Sequence, residues 1–130
     1  MATGLFGNEL LVCVFGQFPG GKFKAKDDSV VVRAFYNARQ KSEFANFFTG
    51  CTFDKDGVER TSRTISTALD SLQQSRLLGR MNPDLVLYTI SPAMKLRYEM
   101  YVKRKVARKI GVVQKFANFI KKELHIDTSS

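Results

Sequence analysis

Residues 60–92 constrain the fold most, because their apolar pattern changes from the period of a helix to that of a strand. The first part is apolar at spacings of three and four residues, which is typical of one buried helical face. Residues 82–84, Asn-Pro-Asp, are a turn signal, and residues 85–90 are rich in β-forming side chains. The stretch predicts a core-facing helix followed by a β-hairpin, and the apolar positions of the helix are Ile65, Ala68, Leu69 and Leu72.

The other face of this predicted helix is polar and suited to hydrogen bonding. Arg63 is the best candidate for reading a base, because a guanidinium fits the two acceptors of guanine bidentately. Hydroxyl groups on the same face suit phosphate contacts that set the register of a protein on DNA. Asp70 is expected to point away from phosphate or to accept a hydrogen bond from a cytosine amine. The polar face consists of Ser62, Arg63, Ser66, Thr67, Asp70 and Gln73.

This stretch resembles the recognition helix and wing of winged helix-turn-helix DNA-binding proteins. The residues that carry the resemblance are 62–66, Leu69, Leu72, 77–78 and 87–92. The resemblance implies a mainly α fold with a small β-hairpin (α+β), in which a short strand near residues 23–26 pairs with the wing. It also implies a recognition helix over about residues 61–75 in the major groove.

The resemblance and the charge pattern together give a set of candidate DNA contacts. Arg80 stands at the base of the predicted wing, whose tip carries the acid Asp84. A run of cations follows on the C-terminal segment, where it is suited to flanking phosphates. The candidate contacts are Arg60, Thr61, Ser62, Arg63, Thr64, Ser66, Thr67, Gln73, Arg80, Lys103, Arg104 and Arg108.

The net charge is positive and unevenly distributed. The chain has 21 Lys and Arg against 12 Asp and Glu, a formal net charge of +9. Residues 61–130 hold 13 basic and 5 acidic side chains, so this half alone carries +8. Such an excess favours a polyanionic partner through phosphate contacts and release of counterions. We expect the partner to be double-stranded DNA.

The C-terminal segment is predicted to form one long amphipathic helix over residues 92–126, starting at a Ser91-Pro92 cap. Its apolar seam is longer than a small domain covers, so we expect it to pair with a second copy as a homodimer. The predicted organisation is a DNA-binding domain at 1–91, this dimerisation helix at 92–126, and a disordered tail at 127–130. The seam consists of Val102, Val106, Ile110, Val113, Ala117, Ile120 and Leu124.

The N-terminal half predicts further helices. One is expected over residues 5–18 with Asn8 as a possible cap, a second over 27–40 behind an Asp-Asp cap, and a short third over 42–48. A loop over residues 49–59 lengthens the turn before the recognition helix. The aromatic side chains fall at helical spacings and are expected to form core rather than a stacking platform; they are Phe35, Phe44, Phe47 and Phe48.

Nothing in the sequence indicates an enzyme, a metal site or a cofactor. The only histidine, His125, lies near the end of the sequence without a nucleophile or carboxylate partner. Cys13 and Cys51 are far apart and are expected to be buried thiols in a reducing cytosol. The apolar run at residues 10–15 is too short for a membrane span. The expected location is the cytoplasm, in association with the nucleoid.

The sequence therefore predicts a dimeric, sequence-specific DNA-binding protein, with transcriptional regulation as the first interpretation. Two alternatives stay open. The first is an accessory DNA-binding protein for plasmid or phage replication, partition or transfer. The second is a winged-helix protein-interaction module, because such domains also serve assembly.

Overall fold

The computed structural model describes residues 5–56, 59–81 and 86–128, and it leaves out the side chains of 55, 56, 59, 60 and 81. The chain is mainly helical with a small antiparallel sheet, as the sequence predicts. The helices are α1 (Gly7–Phe15), α2 (Asp28–Arg39), α3 (Arg63–Gln74), α4 (Ala93–Tyr101) and α5 (Ile110–Leu124), with 3-10 helices at Ala45–Phe48 and Lys103–Lys109. The strands are β1 (Lys22–Lys24), β2 (Asp54–Asp56), β3 (Glu59–Thr61), β4 (Leu78–Met81) and β5 (Leu87–Ile90).

The starts of the first two helices follow the sequence in outline. Asp27 caps α2 as predicted, because its carboxylate accepts the Ser29 backbone N–H at 2.9 Å. The predicted cap of α1 is wrong: Glu9 Oε1 accepts the Phe6 backbone N–H at 3.0 Å, whereas the Asn8 amide donates to Ser71 Oγ at 2.9 Å. Asn8 therefore links α1 to α3 instead of closing its own helix.

The sheet joins the predicted wing to the upstream strand. β5 lies between β1 and β4, and both pairings are antiparallel. The register places Phe23 and Arg80 opposite Tyr88, on its two sides. The Phe23 ring stacks on Tyr88 with centroids 5.0 Å apart, and the Arg80 guanidinium lies 4.9 Å from the Tyr88 centroid. These contacts fix the register of the hairpin, whose predicted tip at residues 82–84 lies outside the described residues.

The predicted loop at residues 49–59 includes β2 and the first residue of β3, which pair as a second antiparallel hairpin. Its acidic residues have low strand propensity, so local sequence does not indicate it. Phe53 anchors the hairpin, because its ring lies 5.5 Å from that of Tyr36 and 5.9 Å from that of Phe48. A tertiary contact therefore overrides the local preference.

Phe116 of α5 is at the centre of one continuous core. Its side chain is fully buried among the four phenylalanines that the sequence predicts to be core. The ring centroids of Phe35, Phe44, Phe47 and Phe48 lie 6.0, 5.4, 5.3 and 5.6 Å from that of Phe116. The core therefore spans the boundary that we predicted between residues 91 and 92.

The C-terminal segment corrects two predictions. The helix expected over 92–126 stops at Tyr101, continues as 3-10 helix and resumes at Ile110. This break lets α4 and α5 both pack on α1. The predicted dimerisation seam is wrong, because the chain's own core covers all of it except Ile110, which is 39% exposed. The buried seam residues are Val102, Val106, Val113, Ala117, Ile120 and Leu124.

The predicted disordered tail is wrong at its first residue. The backbone N–H of Asp127 donates to the carbonyl of Lys22 at 2.7 Å, and the Lys22 N–H donates to the Asp127 carbonyl at 2.9 Å. This antiparallel bridge holds the chain against β1 after α5. Residues 129–130 of the predicted tail lie outside the described residues.

Candidate nucleic-acid interface

Helix α3 buries the apolar face that its sequence predicts. Ile65, Leu69 and Leu72 are buried in the core. The helix also lies close to α1, since a Cβ added at Gly7 would be 3.1 Å from the Thr64 methyl. A small residue at Gly7 therefore allows α1 to pack on the side of α3 without covering its outer face.

The outer face of α3 carries one cation and one acid. Arg63, Thr67, Asp70 and Gln74 are exposed along one stripe of the helix. Asp70 shares this stripe with Arg63 and Thr67, so the expectation that it points away is wrong. The alternative role, accepting from a cytosine amine, stays a prediction. Ser66 lies at the edge of the stripe and is half-buried.

Ser62 is a structural residue, and the prediction that it contacts DNA is wrong. The side chain is 2% exposed. Its hydroxyl donates to the Thr52 carbonyl at 2.6 Å and accepts the Ile65 backbone N–H at 3.2 Å. Ser62 therefore caps α3 and ties its first turn to the segment before β2.

Thr64 faces the same segment. Its Oγ1 lies 3.3 Å from the Thr52 Oγ1, and it accepts the Thr52 backbone N–H at 3.4 Å. With its methyl group close to Gly7, Thr64 is half-buried between α1 and the loop before β2. Both ends of the side chain are thus occupied within the chain, which argues against a DNA contact.

Two of the predicted DNA contacts, Arg60 and Thr61, lie in β3, before α3. The exposed Thr61 donates its hydroxyl to the Asp54 carbonyl at 3.4 Å, across the β2–β3 hairpin. Arg60 is paired with Lys55 in the backbone register of the same hairpin. The Arg60 side chain lies outside the described part of the chain.

A shallow groove of about 480 Å³ separates the end of α3 from the β4–β5 hairpin. Gln73 and Arg80 line it, as does Arg76, which the sequence reasoning missed. Gln73 donates its side-chain amide to the Leu69 carbonyl at 3.2 Å. Arg76 has a left-handed backbone with φ of 64°, so helical periodicity gave no signal for its position. The groove places two guanidinium-bearing residues between the predicted recognition helix and wing.

The 3-10 helix Lys103–Lys109, called the basic segment below, contacts the first turn of α1. Lys103, Arg104 and Arg108, which the sequence predicts as phosphate contacts, are exposed. Lys105 forms an ion pair with Glu9 and lies 5.7 Å from the centroid of the Phe6 ring. The neighbouring Asn8 donates to Ser71 of α3. Adjacent residues of the first turn of α1 therefore contact α3 and the basic segment.

The titratable groups of the core are kept neutral. Burial raises the pKa of the Cys13 thiol to about 12. Burial also raises the pKa of Cys51, although its contact with Ser62 Oγ at 3.9 Å opposes that shift.

His125 is the left-handed residue that ends α5, with φ of 54°. Among the described residues, no three His, Cys, Asp or Glu side chains gather as a metal site.

No protein-family model, curated protein or solved structure matches the chain. Within the described ranges, no helix has the length and apolar content that crossing a membrane requires. A functional conclusion therefore depends on the geometry and charge of the described residues.

Proposed function

We propose that the chain is a winged-helix protein that binds double-stranded DNA sequence-specifically, with α3 in the major groove. The observation that carries the proposal is the order of elements. An N-capped amphipathic α3 leads into a hairpin, β4–β5, whose second strand pairs with β1 upstream. Helices α1 and α2 pack behind α3 and leave its polar stripe in solvent. A recognition helix followed by a wing would have this order of elements, which supports the proposal.

Arg63 is the proposed base-reading residue. It occupies the first turn of α3, and the N-terminal end of a recognition helix is the part that contacts base edges. Its exposed guanidinium can bond the O6 and N7 acceptors of guanine together. Thr67, one turn later, is suited to a phosphate or to a thymine methyl. Asp70 would be repelled by phosphate and so favours a cytosine amine as its partner.

Cations away from α3 supply the phosphate contacts in this proposal. Arg76 and Arg80 line the groove beside the predicted wing, and Lys103, Arg104 and Arg108 are exposed on the basic segment. Each phosphate neutralised releases counterions, which gives affinity that falls with salt. α3 itself carries little net charge, so it would supply selectivity while the other cations supply most of the affinity.

The oligomeric state and the cellular process that the DNA binding serves are separate parts of the proposal. A homodimer would need a surface other than the predicted seam, because the core covers that seam. Regulation of transcription at the nucleoid is the first process we propose. Accessory roles in replication, partition or transfer involve the same DNA contacts, so only the location of the binding site distinguishes them.

The test is selection of bound duplexes from a randomised library, followed by fluorescence anisotropy at physiological salt. We expect an enriched sequence that binds at least ~10³-fold more tightly than random duplex. The same selection is repeated with the Arg63→Ala variant, which should lose enrichment at one base pair. Failure of the wild-type protein to enrich any sequence would reject sequence-specific binding. Failure to bind any duplex would reject DNA binding altogether.

A further inference from the structure

Helix α4 has two apolar faces, and only one of them is covered. Met94 and Tyr98 are buried against the core. On the outer side, Leu96 is 60% exposed, Met100 is 64% exposed and Tyr101 is 57% exposed. Leu96 and Met100 lie one turn apart on the same side of α4, and Tyr101 follows at the end of the helix. This exposed apolar patch is called the α4 surface below.

The α4 surface is bordered by positive charge. Lys95 and Arg97, the two cations of α4, are exposed, as is its one acid, Glu99. The Arg97 guanidinium lies 5.3 Å from the centroid of the Tyr101 ring, which fixes it at the edge of the patch. An apolar centre with a cationic rim is an arrangement that selects a partner with apolar side chains and carboxylates.

A cleft opens beside this patch, between α1, the end of α3 and α4. It has a volume of about 180 Å³. Apolar side chains and Arg97 line it together with four polar ones, and the lining residues are Asn8, Glu9, Val12, Ser71, Leu72, Ser75, Leu77, Arg97, Tyr101 and Val102. Pockets for small molecules are usually about 300–1,000 Å³. The cleft is therefore too small for a typical ligand, and it suits one inserted apolar side chain from a partner.

We propose that the α4 surface binds an acidic amphipathic helix of a partner protein. Apolar side chains of that helix would cover Leu96 and Met100, with one of them entering the cleft beside Tyr101. Its carboxylates would meet the cationic rim. Duplex DNA fits the surface less well, because its phosphates offer nothing to cover the two apolar side chains. A second copy of the chain fits less well too, since symmetric packing of α4 would oppose two positively charged rims.

This inference goes beyond the proposed function and does not depend on it. The α4 surface uses none of the exposed stripe of α3, so a partner and DNA would bind at separate places. A protein that fails to bind DNA could still bind the acidic helix, and the two failures are distinguishable.

The experiment uses a labelled synthetic peptide of about 18 residues, with leucines at helical spacing on one face and glutamates on the other. Two control peptides replace the leucines by serine or the glutamates by lysine. Binding to the full chain is followed by fluorescence anisotropy at physiological salt. We expect the acidic amphipathic peptide to bind at least tenfold more tightly than either control peptide. Equal binding of the three peptides, or no binding of the acidic one, would overturn the proposal.

Variants locate the site. Leu96→Ser with Met100→Ser should weaken peptide binding at least tenfold, and both changes are at exposed positions that the fold tolerates. The matched control is Phe6→Ser, since Phe6 is 70% exposed on another element and should leave binding unchanged. Arg97→Glu should weaken binding of the glutamate peptide and strengthen binding of the lysine peptide. Circular dichroism confirms that each variant is folded.

Two other partners for the α4 surface, duplex DNA and a second copy of the chain, would give different experimental results. If unlabelled duplex DNA displaces the peptide in the wild-type protein and in Arg63→Ala alike, the α4 surface is a DNA contact and the proposal is overturned. Sedimentation of the protein alone tests the second copy. A wild-type dimer that becomes a monomer in the Leu96→Ser, Met100→Ser variant would assign the surface to self-association instead.

Discussion

The hydroxyl of Ser62 donates a hydrogen bond to the carbonyl oxygen of Thr52 at a distance of 2.6 Å. The same oxygen accepts the Ile65 backbone N–H, so one buried side chain both caps α3 and holds the segment that leads into the β2–β3 hairpin. The position of α3 relative to that hairpin therefore depends on Ser62, which the sequence predicts to be a DNA contact.

Replacing Ser62 by alanine should destabilise the fold. The change removes the helix cap and leaves the Thr52 carbonyl without this donor, so we expect a loss of about 1–2 kcal/mol in the free energy of unfolding. Urea denaturation measures it. The matched control is Ser66→Ala on the half-exposed side of α3, which should change stability by less than about 0.5 kcal/mol. Equal effects of the two changes would contradict the assigned role of Ser62.

Arg63→Ala should lower the affinity for the selected DNA site by about 1–3 kcal/mol, with a much smaller effect on random duplex. Arg63→Lys is the sharper variant, because lysine keeps the charge but cannot bond guanine bidentately. We expect it to retain binding to random duplex and to lose discrimination at one base pair. The control is Lys115→Ala on α5. A uniform loss on selected and random duplexes, measured by anisotropy, would reject base reading by Arg63.

Lys103→Ala and Arg108→Ala should weaken binding to all sequences alike. These exposed cations are proposed to contact phosphates, so each change should reduce the slope of log K against log salt by about 1. Anisotropy titrations at several salt concentrations give the slope. Lys122→Ala, an exposed cation near the end of α5, is the control and should leave the slope unchanged. An unchanged slope in both test variants would remove the basic segment from the interface.

Phe116→Ala should cost about 3–5 kcal/mol, because it opens a cavity where four other phenylalanine rings meet. That loss is a large fraction of the stability of an ordinary domain, which is about 5–15 kcal/mol. Phe6→Ala is the matched control, since the same side chain is 70% exposed there and its loss should cost little. Thermal and urea denaturation compare the two. Similar stabilities would contradict the position of α5 in the core.

The free energy of unfolding should fall as the pH rises above about 9. The unfolded Cys13 thiol loses its proton near the ordinary pKa of 9.0, whereas burial holds the folded pKa at about 12. The stabilisation is therefore complete below pH 9 and is lost progressively toward pH 12, by up to about 1.4 kcal/mol per pH unit. Urea denaturation between pH 7 and about 10.5 measures the slope.

Cys13→Ala is the control for this slope and should reduce it. It should not abolish the slope, because burial also raises the pKa values of Cys51, Tyr88 and Tyr98. An unchanged slope in the variant would contradict the shift assigned to Cys13. Thiol titration adds an independent check, since both cysteines should react with a water-soluble disulfide reagent only after unfolding.

The apolar period of α3 and the identity of the core phenylalanines were predictable from the sequence, because helical spacing reports directly which side of a helix is buried. The pairing of β1 with the wing was predictable only through the resemblance to winged-helix proteins. The same spacing misled at the C-terminal seam. A regular apolar pattern indicates that Val106 and Ile120 are covered, but it does not show whether a second copy or the chain's own core covers them.

The sequence by itself determined a helix over about 61–75 with a buried apolar face, the positive charge of the second half and the hairpin that follows α3. These features depend on local periodicity and composition. The tertiary structure alone decided which polar residues are available to a partner. Ser62 and Thr64 are hydrogen-bonded to Thr52, a residue that a hairpin brings back to α3. Leu96 and Met100 stay exposed because α4 packs against the core through its other face, Met94 and Tyr98. Such contacts form between residues distant along the chain, so no local pattern encodes them.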